Sequence, residues 1–168
     1  MQLDYKLRPW KITDIDSLVE NANNPNIAKF MTDAFPNPFT AEDAKKFIEY
    51  AMSQNPIHFF AIEVNDFAVG GIGVHPQTDI MKKNAELGYW LGEYYWGNGI
   101  VSKAIIEMIV YAFRTFDITR IYARPYSTNL KSQHLLEKSG FVLEARIEKN
   151  IFKNGEFLDE LIYAVRRQ

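Results

Sequence analysis

The chain has no cysteine, and that absence closes several chemistries at once. It rules out a disulfide framework, a thiolate nucleophile and a zinc–cysteine site. Histidine is scarce as well. His58, His75 and His134 are scattered without metal-ligand spacing, so no metal is expected. No apolar run approaches the about 20 residues a membrane span needs, and the opening MQLDYKLRPW lacks a signal-like apolar stretch. The reading is a cytoplasmic protein without membrane contact. Neither charge sign dominates, and a formal net charge of −2 argues against a nucleic-acid binder. What is present is 168 residues, 47% of them apolar, which suits one domain over residues 1–168 with a sizeable core.

The stretch that organises the chain is Leu87 to Phe113, LGYWLGEYYWGNGIVSKAIIEMIVYAF. It reads as a buried strand, a tight glycine turn and a long apolar helix. Gly97 and Gly99 sit where the backbone must bend, with no Cβ to hold a ligand away. The first amides of the helix have no internal acceptor, and with the helix dipole they make a site for anions, most naturally phosphates. Val101, Ala104, Ile105, Met108 and Ala112 form one stripe at helical spacing. Ile106, Ile109, Val110 and Phe113 add apolar surface nearly all round, so the helix is expected to lie buried against a sheet. The dinucleotide fingerprint is the competing reading. It needs a glycine where Ser102 stands, and its acidic residue after the next strand, whereas Asp117 precedes that strand.

In chain order, Leu3 to Arg8 alternates as an edge strand ended by Pro9. Thr13, with Asp16 three residues on, is expected to open a first helix, and Asn24-Pro25 restarts it. Thr40 with Asp43 caps a helix running to about Ser53. Ile57 to Val64 and Phe67 to His75 pair across Asn65-Asp66. A polar loop leads to the central strand, Ala85 to Leu91. After the long helix come a strand over Ile118 to Arg124 and a short helix from about Asn129 to Ser139, stopped by Gly140. Two last strands, Phe141 to Phe152 and Phe157 to Val165, join at Asn154-Gly155. The fold class is α/β, a mixed, mostly antiparallel twisted sheet of about seven strands with about four helices.

These residues carry a resemblance. The turn Trp96-Gly97-Asn98-Gly99-Ile100-Val101 opening a helix is similar to the coenzyme A pyrophosphate loop, Q/R-x-x-G-x-G/A, of the GNAT N-acetyltransferase superfamily. The Tyr-Trp-Gly-x-Gly version after a GYWL strand resembles the ribosomal-protein N-terminal acetyltransferase (RimJ/RimL-like) branch. So does Asn129-Leu130-Lys131-Ser132 followed by Glu137-Lys138-Ser139-Gly140-Phe141. The resemblance covers essentially the whole chain. It implies acetyl-CoA as cosubstrate, lying in a wedge at the central strand. The pantetheine arm would pair with the main chain of Trp90 and Leu91, and the pyrophosphate with amides from Gly97 through Ser102. Asn129 would bond the pantetheine arm, or else only cap its helix. Ser132 would protonate or orient the leaving thiolate, or only bond the cofactor. The tyrosine acid that many members place four residues later is Leu136 here, so that role does not transfer. Trp96 replaces the polar opening residue and Val101 the usual Gly/Ala.

Acetyl transfer to an amine needs the two reactants held together and the amine neutral. Positioning supplies about 7–11 kcal/mol. Neutralising an α-amine at pH 7 costs about 1.4 kcal/mol and a lysine side chain roughly 4.6 kcal/mol. A carboxylate working through water is enough for the former. Glu86, on the central strand, is the candidate base, with His75 the alternative. Glu86 could equally be a solvated glutamate at a strand start. Tyr89 and Tyr126 read as core aromatics that could also line the groove. The expected function is N-acetylation of a primary amine, a protein N-terminus or a small molecule, in a ternary complex by a monomer or homodimer. The alternative is a non-catalytic acyl-CoA sensor.

Overall fold

The computed structural model describes residues 3–167. The helices are α1 (Ile15–Ala22), α2 (Pro25–Ala28), α3 (Ala41–Ser53), α4 (Ile100–Thr115) and α5 (Leu130–Lys138). The strands are β1 (Lys6–Pro9), β2 (Phe59–Val64), β3 (Phe67–Pro76), β4 (Asn84–Leu91), β5 (Arg120–Ala123), β6 (Val142–Lys153) and β7 (Glu156–Arg166). They form one seven-stranded sheet in the order β1-β2-β3-β4-β5-β7-β6. β1 with β2, β2 with β3, β5 with β7 and β6 with β7 run antiparallel, and β4 with β5 runs parallel. The expected mixed sheet is thus present, with five α-helices among the described residues.

Local chemistry sets the elements. Thr40 and Asp43 close a capping box at the start of α3, Thr40 Oγ1 accepting from the Asp43 amide at 3.2 Å. Asn24 caps α2, accepting from the Asn26 amide at 2.8 Å, with Pro25 at the first helical position. Two hairpins turn on two residues in the left-handed region, as two-residue turns require. These are Asn65 (φ 50°) with Asp66 (φ 69°), and Asn154 (φ 52°) with Gly155 (φ 82°). The first helix departs from expectation. A 3-10 turn over Ile12–Asp14 precedes it, and the capping carboxylate is Asp14, not one paired with Thr13. Asp14 Oδ2 accepts from the Lys11 amide at 2.8 Å while both its oxygens hold Arg8 at 2.7 Å.

The chain gathers into two compact units. The first comprises the residues up to Gly73 with Tyr89–Ala104. Its core packs Trp10, Leu18, Phe39, Ile48, Phe59 and Ala61, with Phe35, Phe47 and Trp90 against them. Beside it Arg8, Asp14 and Glu63 are all buried, with the Arg8 guanidinium between the two carboxylates. The second unit comprises Val74–Gly88 and the residues from Ile105 onward. Here β4 and β5 alternate. Ala85, Leu87, Ile121 and Ala123 are buried, and the side chains between them are half-buried or exposed. In α4, Ala104, Ile105, Met108 and Ala112 are buried as the stripe requires. The rest of the helix surface is apolar as the sequence has it, but part of it is not buried. Ile106 and Val110 face outward, 53% and 44% exposed.

Among the described residues no helix is long and apolar enough to cross a membrane, and no cluster of His, Cys, Asp or Glu is arranged to hold a metal.

Candidate active site

In the first unit, the backbone beyond β4 is shaped by side chains that bond back to it. The Gly92 amide donates to the Val69 carbonyl at 2.8 Å. The Trp96 indole N–H donates to the Leu91 carbonyl at 2.7 Å, closing the bend on the strand end. Asn98 Nδ2 donates to the carbonyls of Tyr95 and Trp96 at 3.1 and 3.2 Å. Gly97 and Gly99 take φ of 79° and 72°, where any other L-residue is strained, and a Cβ on either would meet nothing within 4 Å. Ile100, 2% exposed, anchors the first turn of α4. Val101 is half-buried beside it, and the Ser102 hydroxyl donates back to the Gly99 carbonyl at 2.9 Å. The amides of Ile100, Val101 and Ser102 thus open a 16-residue helix with no acceptor inside it, at a turn with open space in front. That arrangement fits a diphosphate. Trp90 packs its ring against Phe35 and Leu91 is buried, so only their main chain is available to a ligand.

A clasp invisible in the sequence steadies this bend. Glu93 accepts from Asn24 Nδ2 at 2.7 Å and from Asn26 Nδ2 at 3.1 Å.

In the second unit, Glu86 lies half-buried on the open side of the sheet. Gln77 donates to the Asn84 carbonyl at 2.9 Å, and this antiparallel register puts His75 directly across from Glu86. On the other side Glu86 is in register with Tyr122. Arg124 grips the carboxylate twice, Nε to Oε1 at 2.9 Å and Nη2 to Oε2 at 3.2 Å. Its third contact is Nη1 to Oε1 of buried Glu160 at 3.1 Å, and Asn150 Nδ2 donates to the other Glu160 oxygen at 2.6 Å. Glu86 chiefly, by its hydrogen bond, raises the Arg124 pKa above its ordinary value. Tyr122 is also raised, by burial first and the Glu86 charge second. Packing around the His75 ring lowers its pKa, and Glu86 opposes that only partly, so the exposed imidazole is neutral around pH 7.

At the start of α5, the Asn129 side chain accepts from the Ser132 amide at 3.2 Å, so Asn129 does cap its helix. Its NH2 group remains a donor. Leu136 is fully buried, and its position does not face solvent. Tyr126 is 7% exposed and packs inside.

Of the predicted residues, the structure brings Trp96 through Ser102 together at one corner, at the end of the strand carrying Trp90 and Leu91. Asn129 and Ser132 share one cap. Sequence reasoning missed Arg124, Tyr122 and Glu160. The alternation Arg120, Tyr122, Arg124 along one strand face was the available signal.

Comparison with known proteins places this geometry in a class. An acetyltransferase solved with acetyl-CoA and AMP, the microcin C7 self-immunity enzyme MccE, superposes with a TM-score of 0.84 at 26% identity, covering 98% of this chain and 93% of that one. The fold with its strand-to-helix corner is therefore that of an acetyl-CoA-dependent acyltransferase. The Acetyltransferase (GNAT) domain family matches residues 5–142, and the chain belongs to that family. It is 27% identical over 168 residues to the uncharacterized N-acetyltransferase p20 of Bacillus licheniformis, covering 96% of this chain and 92% of that protein. It is 30% identical over 105 residues to the ribosomal-protein-serine acetyltransferase of Escherichia coli, covering 62% of this chain and 58% of that one.

Proposed function

We propose that the protein moves the acetyl group of acetyl-CoA to a primary amine, by direct attack of the amine on the thioester. The observation that carries this reading is the corner from Gly97 to Ser102. Two left-handed glycines, open space and the first amides of a long helix coincide there. The main chain at Trp90 and Leu91 would pair with the pantetheine arm, and Leu91 would do so while its carbonyl also serves Trp96. Asn129 would use its remaining NH2 on the same arm, and Ser132 would attend the leaving sulfur. Glu86 supplies negative charge that draws an ammonium group toward the base. The kinship with a ribosomal-protein-serine acetyltransferase supports a protein acceptor. An α-amine is also cheaper to neutralise than a lysine side chain, about 1.4 against roughly 4.6 kcal/mol at pH 7. The whole chain acts as one acetyltransferase domain in this reading.

The test is to incubate the protein with acetyl-CoA and a panel of N-terminal peptides and polyamines. Free thiol and product mass are followed together. Amine-dependent thiol release supports transfer. Saturable binding of acetyl-CoA without it supports the acyl-CoA sensor.

A further inference from the structure

We infer that the acceptor amine lies on the open side of β4 over Gly88 and gives its proton to His75, with Glu86, fixed in place by Arg124, electrostatically supporting that imidazole. The inference rests on the transferase reading and deepens it.

The first observation is that Glu86 is already engaged. Both oxygens are held by Arg124, at 2.9 and 3.2 Å, and Arg124 is itself tied to Glu160. Both carboxylate oxygens are occupied by guanidinium N–H donors, so Glu86 is placed as a partner of the base rather than as the base itself. A carboxylate so fixed stabilises a neighbouring cation by its charge. The second is register. The Gln77–Asn84 bond places His75 directly opposite Glu86, on the same side of the sheet, at the separation of about 4.5–5.5 Å between Cβ atoms usual for such pairs. An imidazole held below its ordinary pKa beside a fixed carboxylate is the arrangement a general base needs. The groups facing His75 are Glu86 from β4 and, one strand further, Tyr122 from β5 and Arg124 just past its end. The third is space. Two residues beyond Glu86, on the same side, Gly88 is exposed, and a Cβ there would meet nothing within 4 Å. Its φ is not in the left-handed region, so backbone geometry does not demand glycine. The missing side chain leaves a bare floor beside the charged pair.

The step balances simply. A primary ammonium gives one proton to a ring nitrogen of His75, which returns it to water. The freed nitrogen lone pair forms the N–C bond to the acetyl carbonyl as the C–S bond breaks. The second nitrogen proton goes to the departing thiolate, leaving an amide and a thiol.

Two measurements test it. Steady-state kinetics are run on wild type, His75→Gln and Gly88→Val across pH 5.5 to 9 with the best amine of a panel. Expected for His75→Gln is a fall in kcat of about 10²-fold or more, the contribution of a positioned base, with acetyl-CoA KM unchanged and the acidic limb of wild type altered. Expected for Gly88→Val is a rise of tenfold or more in amine KM with acetyl-CoA affinity intact. Retention of kcat within twofold and an unchanged acidic limb in His75→Gln would overturn the role of His75. Unchanged amine KM in Gly88→Val would overturn the placement. The second measurement is an NMR titration of His75 in wild type and Glu86→Gln. The imidazole pKa is expected to fall when the carboxylate is neutralised, and no change would break the pairing. If wild type itself shows no amine-dependent thiol release, it is the transferase reading that fails.

Discussion

Arg124 holds both carboxylate oxygens of Glu86, Nε to Oε1 at 2.9 Å and Nη2 to Oε2 at 3.2 Å. A guanidinium so placed screens the carboxylate from its other neighbour across the strand, His75. Replacing Arg124 by Gln removes the screen. The His75 pKa should then rise, because Glu86 already raises it and would do so unscreened. Imidazole NMR titration measures this, and an unchanged or lowered value would show that the three groups are not coupled.

Trp96 stands where the family motif has a polar residue, yet its indole N–H bonds the Leu91 carbonyl at 2.7 Å. Trp96→Phe keeps the ring and loses the donor. Stability should drop by about 0.5–1.5 kcal/mol, the net worth of one such bond. Acetyl-CoA affinity should drop with it, because the bend that presents the helix amides loosens. Denaturant unfolding and calorimetric titration of the same samples check both.

Gly99→Ala places a Cβ in open space but in a left-handed backbone, φ 72°. The expected cost is about 1–2 kcal/mol, together with weaker acetyl-CoA binding. Gly140→Ala is the control. Gly140 also has positive φ, 88°, with open space around it, but it lies just past the end of α5. It should lose stability and keep affinity.

The buried group around Arg8 sets acid stability. The Glu63 carboxyl is held below its ordinary range chiefly by Lys6, then by Arg8, against its burial. A carboxylate with a lowered folded pKa stabilises the fold above its unfolded pKa, about 4.3, and that contribution is lost as pH falls through the lowered value. Wild type should therefore exceed Glu63→Gln in stability at pH 7, with the gap closing toward pH 3. Arg8→Leu leaves Glu63 and Asp14 buried without their guanidinium, and should cost about 3–5 kcal/mol at pH 7. Urea unfolding at several pH values reads both.

Much of the architecture was legible because it rests on local rules. Asn24-Pro25, Thr40 with Asp43, and Asn154-Gly155 each work through neighbours a few residues away, and each is where the sequence places it. The glycine corner was legible for the same reason. What stayed hidden depends on distant partners. Asp14 is drawn into the Arg8 group and takes over the cap expected around Thr13. Glu86 was singled out as a lone acid, while its partner Arg124 is 38 residues away and meets it only through the β4–β5 register. The outward side of α4 escaped because apolar Ile106 and Val110 look buried until the sheet shows which side it covers.

The most direct test of the account is a single assay, wild-type protein with acetyl-CoA, with and without a peptide bearing a free N-terminal amine, following thiol release and the mass of the peptide. The account predicts that thiol appears only with the amine, in step with a peptide carrying one acetyl group. Saturable acetyl-CoA binding with no amine-dependent thiol across peptides and polyamines alike would contradict it.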